Sequence, residues 1–181
     1  KEWEKKLRTY NAYQLARQIR EYQTVSSIFT RLIEALIAKG TGLTPDQIFR
    51  LAEYKTFVEE ANKQMQNYAT FNTNLTVASQ RDMVTLGLQN SQSLLSLINV
   101  NFNRLPVEAI DKWIGVSDDG SPLYDIFLKR FNDNTQQALN IMTEGIARGL
   151  NPVDTARLMT KQLEVSRYDA TRTTRTETIN I

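Results

Sequence analysis

The sequence predicts an all-α protein, an elongated bundle of long antiparallel helices followed by a compact group of shorter helices. Three observations carry that expectation. Apolar residues recur at threes and fours over most of the 181 residues. Chain-breaking residues are sparse, with neither Gly nor Pro between Pro45 and Gly87. The breakers that do occur, Gly40-Thr41-Gly42, Thr44-Pro45, Gly115, Ser121-Pro122 and Gly149-Leu150-Asn151-Pro152, stand where helix ends and starts belong.

The first element reads as a helix from about residue 2 to Lys39. Leu15, Ile19, Tyr22, Val25, Phe29, Leu32 and Leu36 mark its inner face, and Gly40-Thr41-Gly42 ends it. Thr44-Pro45-Asp46-Gln47 is a capping box with Pro at the first helical position. The helix it opens carries Ile48, Leu51, Tyr54, Val58, Ala61, Met65 and Tyr68 inward and runs for more than thirty residues. Residues 67–80 have the Thr, Val and aromatic content of a strand but no turn signals, so the helix is expected to continue. Gly87 is expected to kink it, and Leu94, Leu95, Leu97 and Ile98 close it before a loop over 99–103.

From Leu105-Pro106 the elements shorten. A short helix through Trp113 ends at Gly115, and a tight turn over 116–122 leads into a helix reaching Gly149. Its expected core face is Leu123, Ile126, Phe127, Phe131, Leu139, Met142 and Ile146. Asn151-Pro152 opens another short helix with Ala156, Leu158, Met159 and Leu163 inward, and Ser166 is expected to cap a separate last helix. Two regions follow, a helical hairpin over 1–104 and a compact helical region over 105–181. No repeat of 20–50 residues is present.

Composition removes whole classes of chemistry. Hydrophobic residues make up 41% of the chain, and the mean hydropathy is −0.42. No stretch approaches the roughly 20 apolar residues that span a bilayer, so no membrane partner is expected. There is no Cys and no His. Thiolate metal sites and disulfides are thereby excluded, and the commonest general base and metal ligand are lost. No catalytic residue, metal site or cofactor is expected, and the chain is not read as an enzyme. A carboxylate-only hydrolase would need paired acids, and no such pairing is visible in the sequence. Asp118-Asp119-Gly120 lacks the alternating oxygens and terminal Glu of a calcium loop and reads as a turn.

Net charge is only +2, but it is unevenly placed. Lys5, Lys6, Arg8, Arg17 and Arg20 lie on the first helix with Trp3, Tyr10 and Tyr13 among them, a set that could meet nucleic-acid phosphates. A solvated helix face is the commoner use of such charges. Between Gln64 and Asn103 the only charges are Arg81 and Asp82. That stretch either packs against other protein, including further copies, or is a central helix surrounded by its own chain. The last turns are unusual as well. Five Thr between 171 and 178 oppose helix propensity, which points to a contact that compensates. Asp169 can pair with Arg172, whereas Arg175 and Glu177 face different ways.

The order of signals from Leu105 onward resembles the phage head morphogenesis family, the Mu F-like minor head proteins. The matching run is Leu105-Pro106 with Gly115, Asp119-Gly120-Ser121-Pro122-Leu123, Gly149-Leu150-Asn151-Pro152 with Ala156-Arg157, and Arg175-Thr176-Glu177-Thr178 followed by Asn180. The family's signature is Ala-Arg-Thr-Glu-Thr; here Thr174 stands in the Ala position. The resemblance covers the last 75 residues or so, and family members continue into a mixed α/β portion beyond the signature. The start at Lys1 and the stop within a helical pattern agree with a piece of a longer protein. The resemblance implies a structural minor head (minor capsid) protein of a tailed bacteriophage, made in the host cytoplasm and carried in the capsid near the portal vertex. It would help head assembly and influence DNA packaging or ejection. Implied partners are the portal protein, scaffold or major capsid protein, further copies of itself and packaged double-stranded DNA. Arg172, Thr174, Arg175, Thr176, Glu177, Thr178 and Asn180 are its expected protein-contact residues. The rival readings are a generic helical interaction module and a nucleic-acid-binding protein using the basic first helix.

Overall fold

The computed structural model describes residues 2–96, 110–117 and 120–179. Helix α1 spans Glu2–Gly40. It closes with the Thr41 amide donating to Ile37 at 3.1 Å, and Gly42 adopts φ +83°, a backbone that L side chains resist. The capping box then forms as expected. The Thr44 amide donates to Gln47 Oε1 at 2.9 Å, and the Gln47 amide donates back to Thr44 Oγ1.

That start belongs to a five-residue helix, α2 (Pro45–Phe49), and not to the long helix itself. The Arg50 and Leu51 amides donate to carbonyls three residues back, tightening and ending the turn. The cause is Ile48, which is buried beside Gly40 and plugs the end of the bundle before the chain turns away. Helix α3 (Ala52–Ser96) therefore restarts with a new phase. Phe57 is fully buried together with Ala61, Met65 and Tyr68, while the expected Leu51, Tyr54 and Val58 are half-buried at the margin. The helix continues unbroken through 67–80 and through Gly87, about 67 Å at 1.5 Å per residue.

Before the next helix, Gly115 and Gly120 take φ of +85° and +82°, and Val116 and Pro122 form an isolated antiparallel bridge. The Leu123 amide donates to the Gly115 carbonyl across this reversal at 3.1 Å. Helix α4 covers Leu123–Ala147. Leu123, Phe127, Phe131, Leu139 and Met142 are buried as expected, and Ile126 is half-buried. The Leu150 amide reaches back to Gly145 at 2.8 Å around Gly149 at φ +63°, a Schellman ending. Asn151 caps the next helix, its Oδ1 accepting from the Val153 amide at 2.8 Å.

Helix α5 is one unbroken helix, Pro152–Ile179, where the sequence suggested two. Ser166 is not a cap. It lies in mid-helix, fully buried, with its hydroxyl accepting from Asn134 Nδ2 at 3.2 Å. Nor does Leu158 face inward; it is 47% exposed, whereas Thr155 is buried. The inward row is Thr155, Met159, Leu163, Ser166, Ala170, Thr173–Thr174 and Thr178, a stripe of mixed polarity that hydropathy alone misphases. Residues 1, 97–109, 118, 119, 180 and 181 lie outside the described residues, and with them the expected helix start at Leu105 and Pro106, the 99–103 loop and part of the family signature.

The four long helices run up, down, up, down. Neighbours around the ring are α1, α3, α4 and α5, and the diagonal pair α3 and α5 also touch. Tyr68 sits at the centre, with ring centroids of Phe131, Tyr22 and Phe71 at 5.0, 5.6 and 6.5 Å. Past the end of α5, α1 and α3 continue together. No residue from Lys5 to Tyr13, nor from Met83 to Ser93, is buried.

Candidate functional site

Where α1, α3 and α5 meet, the core turns from apolar to polar. Gln14 and Gln18 of α1, Asn72, Thr76, Ser79 and Gln80 of α3, and Thr173, Thr174 and Thr178 of α5 are all buried. Burying polar groups costs stability unless they are hydrogen-bonded, and most of these are.

Gln18 Nε2 donates to Asn72 Oδ1 at 2.9 Å and to Thr174 Oγ1 at 2.8 Å, joining three helices through one amide. Thr76 spends its only hydroxyl hydrogen on the Asn72 carbonyl, at 2.8 Å. In the 3.0 Å contact between Thr76 and Thr174, Thr174 must therefore be the donor. The chain of donation runs from Gln18 to Thr174 to Thr76 to the α3 backbone, with Thr174 as its hub. A hydroxyl on a β-branched stem is what this position needs, which accounts for Thr in a helix where propensity disfavours it.

Gln80 works in the same way at the helix end. Its Nε2 donates to the Glu177 carbonyl at 3.0 Å, and its Oε1 accepts from the Gly115 amide at 2.8 Å. A last-turn carbonyl of α5 that no intrahelical amide within Pro152–Ile179 can reach is thus satisfied from α3. On the other side of α5, Arg130 donates to Thr173 Oγ1, and Asn134 Nδ2 donates to Ser166 and to Asp169 Oδ2 at 3.0 Å.

A cleft of about 200 Å³ opens beside this seam, between α1, α3 and the last turns of α5. Tyr10, Gln14, Ser79, Thr171, Arg175 and Thr178 are among its lining residues. Gln14 Oε1 and Thr178 Oγ1, on side chains more than nine-tenths buried, have no hydrogen-bond partner. At its edge the Tyr10 hydroxyl donates to Asp82 Oδ2 at 2.8 Å. Burial first, and then the Asp82 carboxylate, hold that phenol above its ordinary pKa.

The residues singled out from sequence divide between inside and outside. Thr174 and Thr178 are buried in the seam and cleft wall, whereas Arg172, Arg175 and Thr176 are exposed and Glu177 is half-buried. Arg172 pairs with Asp169 at 3.7 Å, as the spacing suggested. Arg175 makes no hydrogen bond or ion pair within the chain among the described residues, and Glu177 is bound through its backbone carbonyl. Lys5, Lys6, Arg8, Arg17 and Arg20 are all exposed on α1, and the Arg17 guanidinium lies 5.8 Å from the Tyr13 ring centroid and 5.9 Å from that of Phe71. The seam's own residues on α1 and α3 (Gln14, Gln18, Asn72, Thr76 and Gln80) carry no motif. The signal that could have found those on α3 is the charge-poor run from Gln64, where part of the expected surface is interior to the chain's own bundle.

Among the described residues, no group of three or more acidic side chains is placed to hold a metal ion, and no helix is long and apolar enough to cross a membrane. Comparison with family models, curated proteins and solved structures finds no match to this chain.

Proposed function

We propose that this chain is a structural interaction protein without catalytic chemistry of its own, and specifically a minor head protein of a tailed bacteriophage that associates with the portal. The observation that carries the interaction role is the open end of the α1–α3 pair. Met83, Val84, Leu86 and Leu88 are only partly buried there, none of them reaching the core, and α3 has no charged residue after Asp82. A helix surface normally left to water carries Glu and Lys for solubility. This one is suited to being covered by protein, and a four-helix bundle holding two helices out past its end presents it well. The phage address rests on the residue run from Leu105 to Thr178 and on its resemblance to the head morphogenesis family.

Co-expression with a tailed-phage portal protein tests the reading. Co-elution as a complex, lost in a Leu86→Glu variant that keeps its helical circular dichroism, is the expected result. Failure to bind portal, with normal head assembly when the gene is deleted, overturns it. A second reading, nucleic-acid binding, is favoured by the five exposed cations of α1. It requires an affinity for DNA that falls steeply with salt and drops in a Lys5→Ala, Lys6→Ala, Arg8→Ala variant.

A further inference from the structure

We propose that the cleft between α1, α3 and the end of α5 binds a small hydroxylated anion, a polyol or hydroxy acid bearing one carboxylate or phosphate. This goes beyond the structural role above and does not depend on it.

Hydrogen-bond capacity defines the ligand. Thr171 and Ser79 have committed their hydroxyl hydrogens to the Arg167 and Leu75 carbonyls, at 3.0 and 2.8 Å. Towards the cleft they offer only lone pairs. Gln14 Oε1 is also an acceptor, and it is unpartnered. The buried wall therefore wants donors from its occupant. Thr178 Oγ1, likewise unpartnered, can give one hydrogen and take another. Neutral surroundings favour a hydroxyl over an ammonium, because a buried charge needs a counter-charge. At the outer edge the requirement reverses. Arg175 is exposed, lines the cleft and has no acidic partner among the described residues. Its guanidinium presents a fork of donors suited to a carboxylate or phosphate. Ala12 and Leu15 supply apolar wall for a short carbon skeleton.

Size agrees with this class. About 200 Å³ is several times the roughly 30 Å³ that one water occupies in the liquid. It is also below the ~300 Å³ at which drug-sized pockets begin.

The test is a nitrogen-15 NMR titration of the whole chain with glycerol 3-phosphate and with glycerate, following the Gln14 side-chain amide and Arg175 Nε. Glycerol, which lacks the anion, and inorganic phosphate, which lacks the carbon-borne hydroxyls, are the partial probes. Saturable shifts at both groups with at least one anionic polyol are expected, with the partial probes about tenfold weaker or worse. Whichever of the two binds tighter identifies the anion as phosphate or carboxylate. Arg175→Gln and Gln14→Leu should each weaken binding about tenfold, the loss of one charge-assisted or buried hydrogen bond. The proposal is overturned by an absence of saturable shifts up to about 50 mM, or by binding that survives Arg175→Gln.

Discussion

At the scale of single residues, packing and polarity make opposite demands at two positions. Gly145 faces Thr155 across the α4–α5 contact, and a Cβ there would stand 2.6 Å from Thr155 Oγ1 and 2.7 Å from its Cγ2. Thr155 is buried, and its hydroxyl donates to the Asn151 carbonyl at 3.2 Å, so it has little room to give. Ala at a helix interior is intrinsically better than Gly by about 1 kcal/mol, but overpacking costs about 1–3 kcal/mol. Gly145→Ala should therefore destabilise the protein in urea unfolding, and adding Thr155→Ala should recover most of the loss. If Gly145→Ala alone stabilised the protein, the close approach of the two helices would be wrong. Tyr68 presents the reverse case. Its ring is fully buried among Tyr22, Phe71 and Phe131, yet its hydroxyl has no partner. Tyr68→Phe removes a buried, unsatisfied oxygen and keeps the ring. It should leave stability unchanged or raise it by up to about 1 kcal/mol, and a loss of more than that in the same assay would reveal a hydrogen bond to this hydroxyl.

At the scale of elements, the apolar half of the bundle could be read from the sequence, and the polar half could not. Tyr22, Val25, Phe29 and Leu36 of α1 are buried where their spacing put them, because apolar residues have only one favourable place to go. Towards the N-terminus the same spacing pointed to Leu15, which is 39% exposed, while Gln14 and Gln18 take the inward positions. A Gln in water and a Gln held by Thr174, 156 residues away in sequence, look alike in a hydropathy pattern; only the distant partner makes the second one cheap to bury. The same limit misplaced the start of the last helix. Ser166 has the chemistry of a cap, and its partner on α4 decides that it is interior. What could be read of the Thr-rich segment was that its local propensity needed compensation, and the hydrogen bonds through Thr173 and Thr174 supply it. Thr174→Val keeps the shape and removes the hub. It should cost about 1–2 kcal/mol, since Gln18 keeps only the more distant Ala170 carbonyl, at 3.4 Å, for that hydrogen. Gln18→Leu combined with Thr174→Val should cost clearly less than the two single losses added. Strict additivity would mean that the two residues do not share a network.

At the scale of the whole molecule, the central aromatic cluster ties stability to alkaline pH. With no His in the chain, no imidazole titrates between the carboxylates and the phenols. Tyr22 on α1 and Tyr68 on α3 lie 5.6 Å apart between ring centroids, and both hydroxyls are buried without a partner. Burial, the largest cause for each, pushes both phenols well above their ordinary value of 10.0. The unfolded chain ionises these groups near that ordinary value, whereas the folded bundle keeps them neutral. Unfolding therefore releases protons above pH 10, and the stability that is fully present below that pH is lost as pH rises towards the folded pKa values. The loss should approach about 1.4 kcal/mol per phenol for each pH unit above 10. Because both groups lie where α1, α3 and α4 meet, the unfolding should be global and not a fraying of the α1–α3 end. Urea midpoints measured from neutral pH into the alkaline range, with phenolate absorbance read alongside, provide the check. Tyr68→Phe should remove about half of the slope if the two phenols contribute alike. Phenolate absorbance from both residues appearing near pH 10, with helicity intact, would mean that water reaches the centre of the bundle.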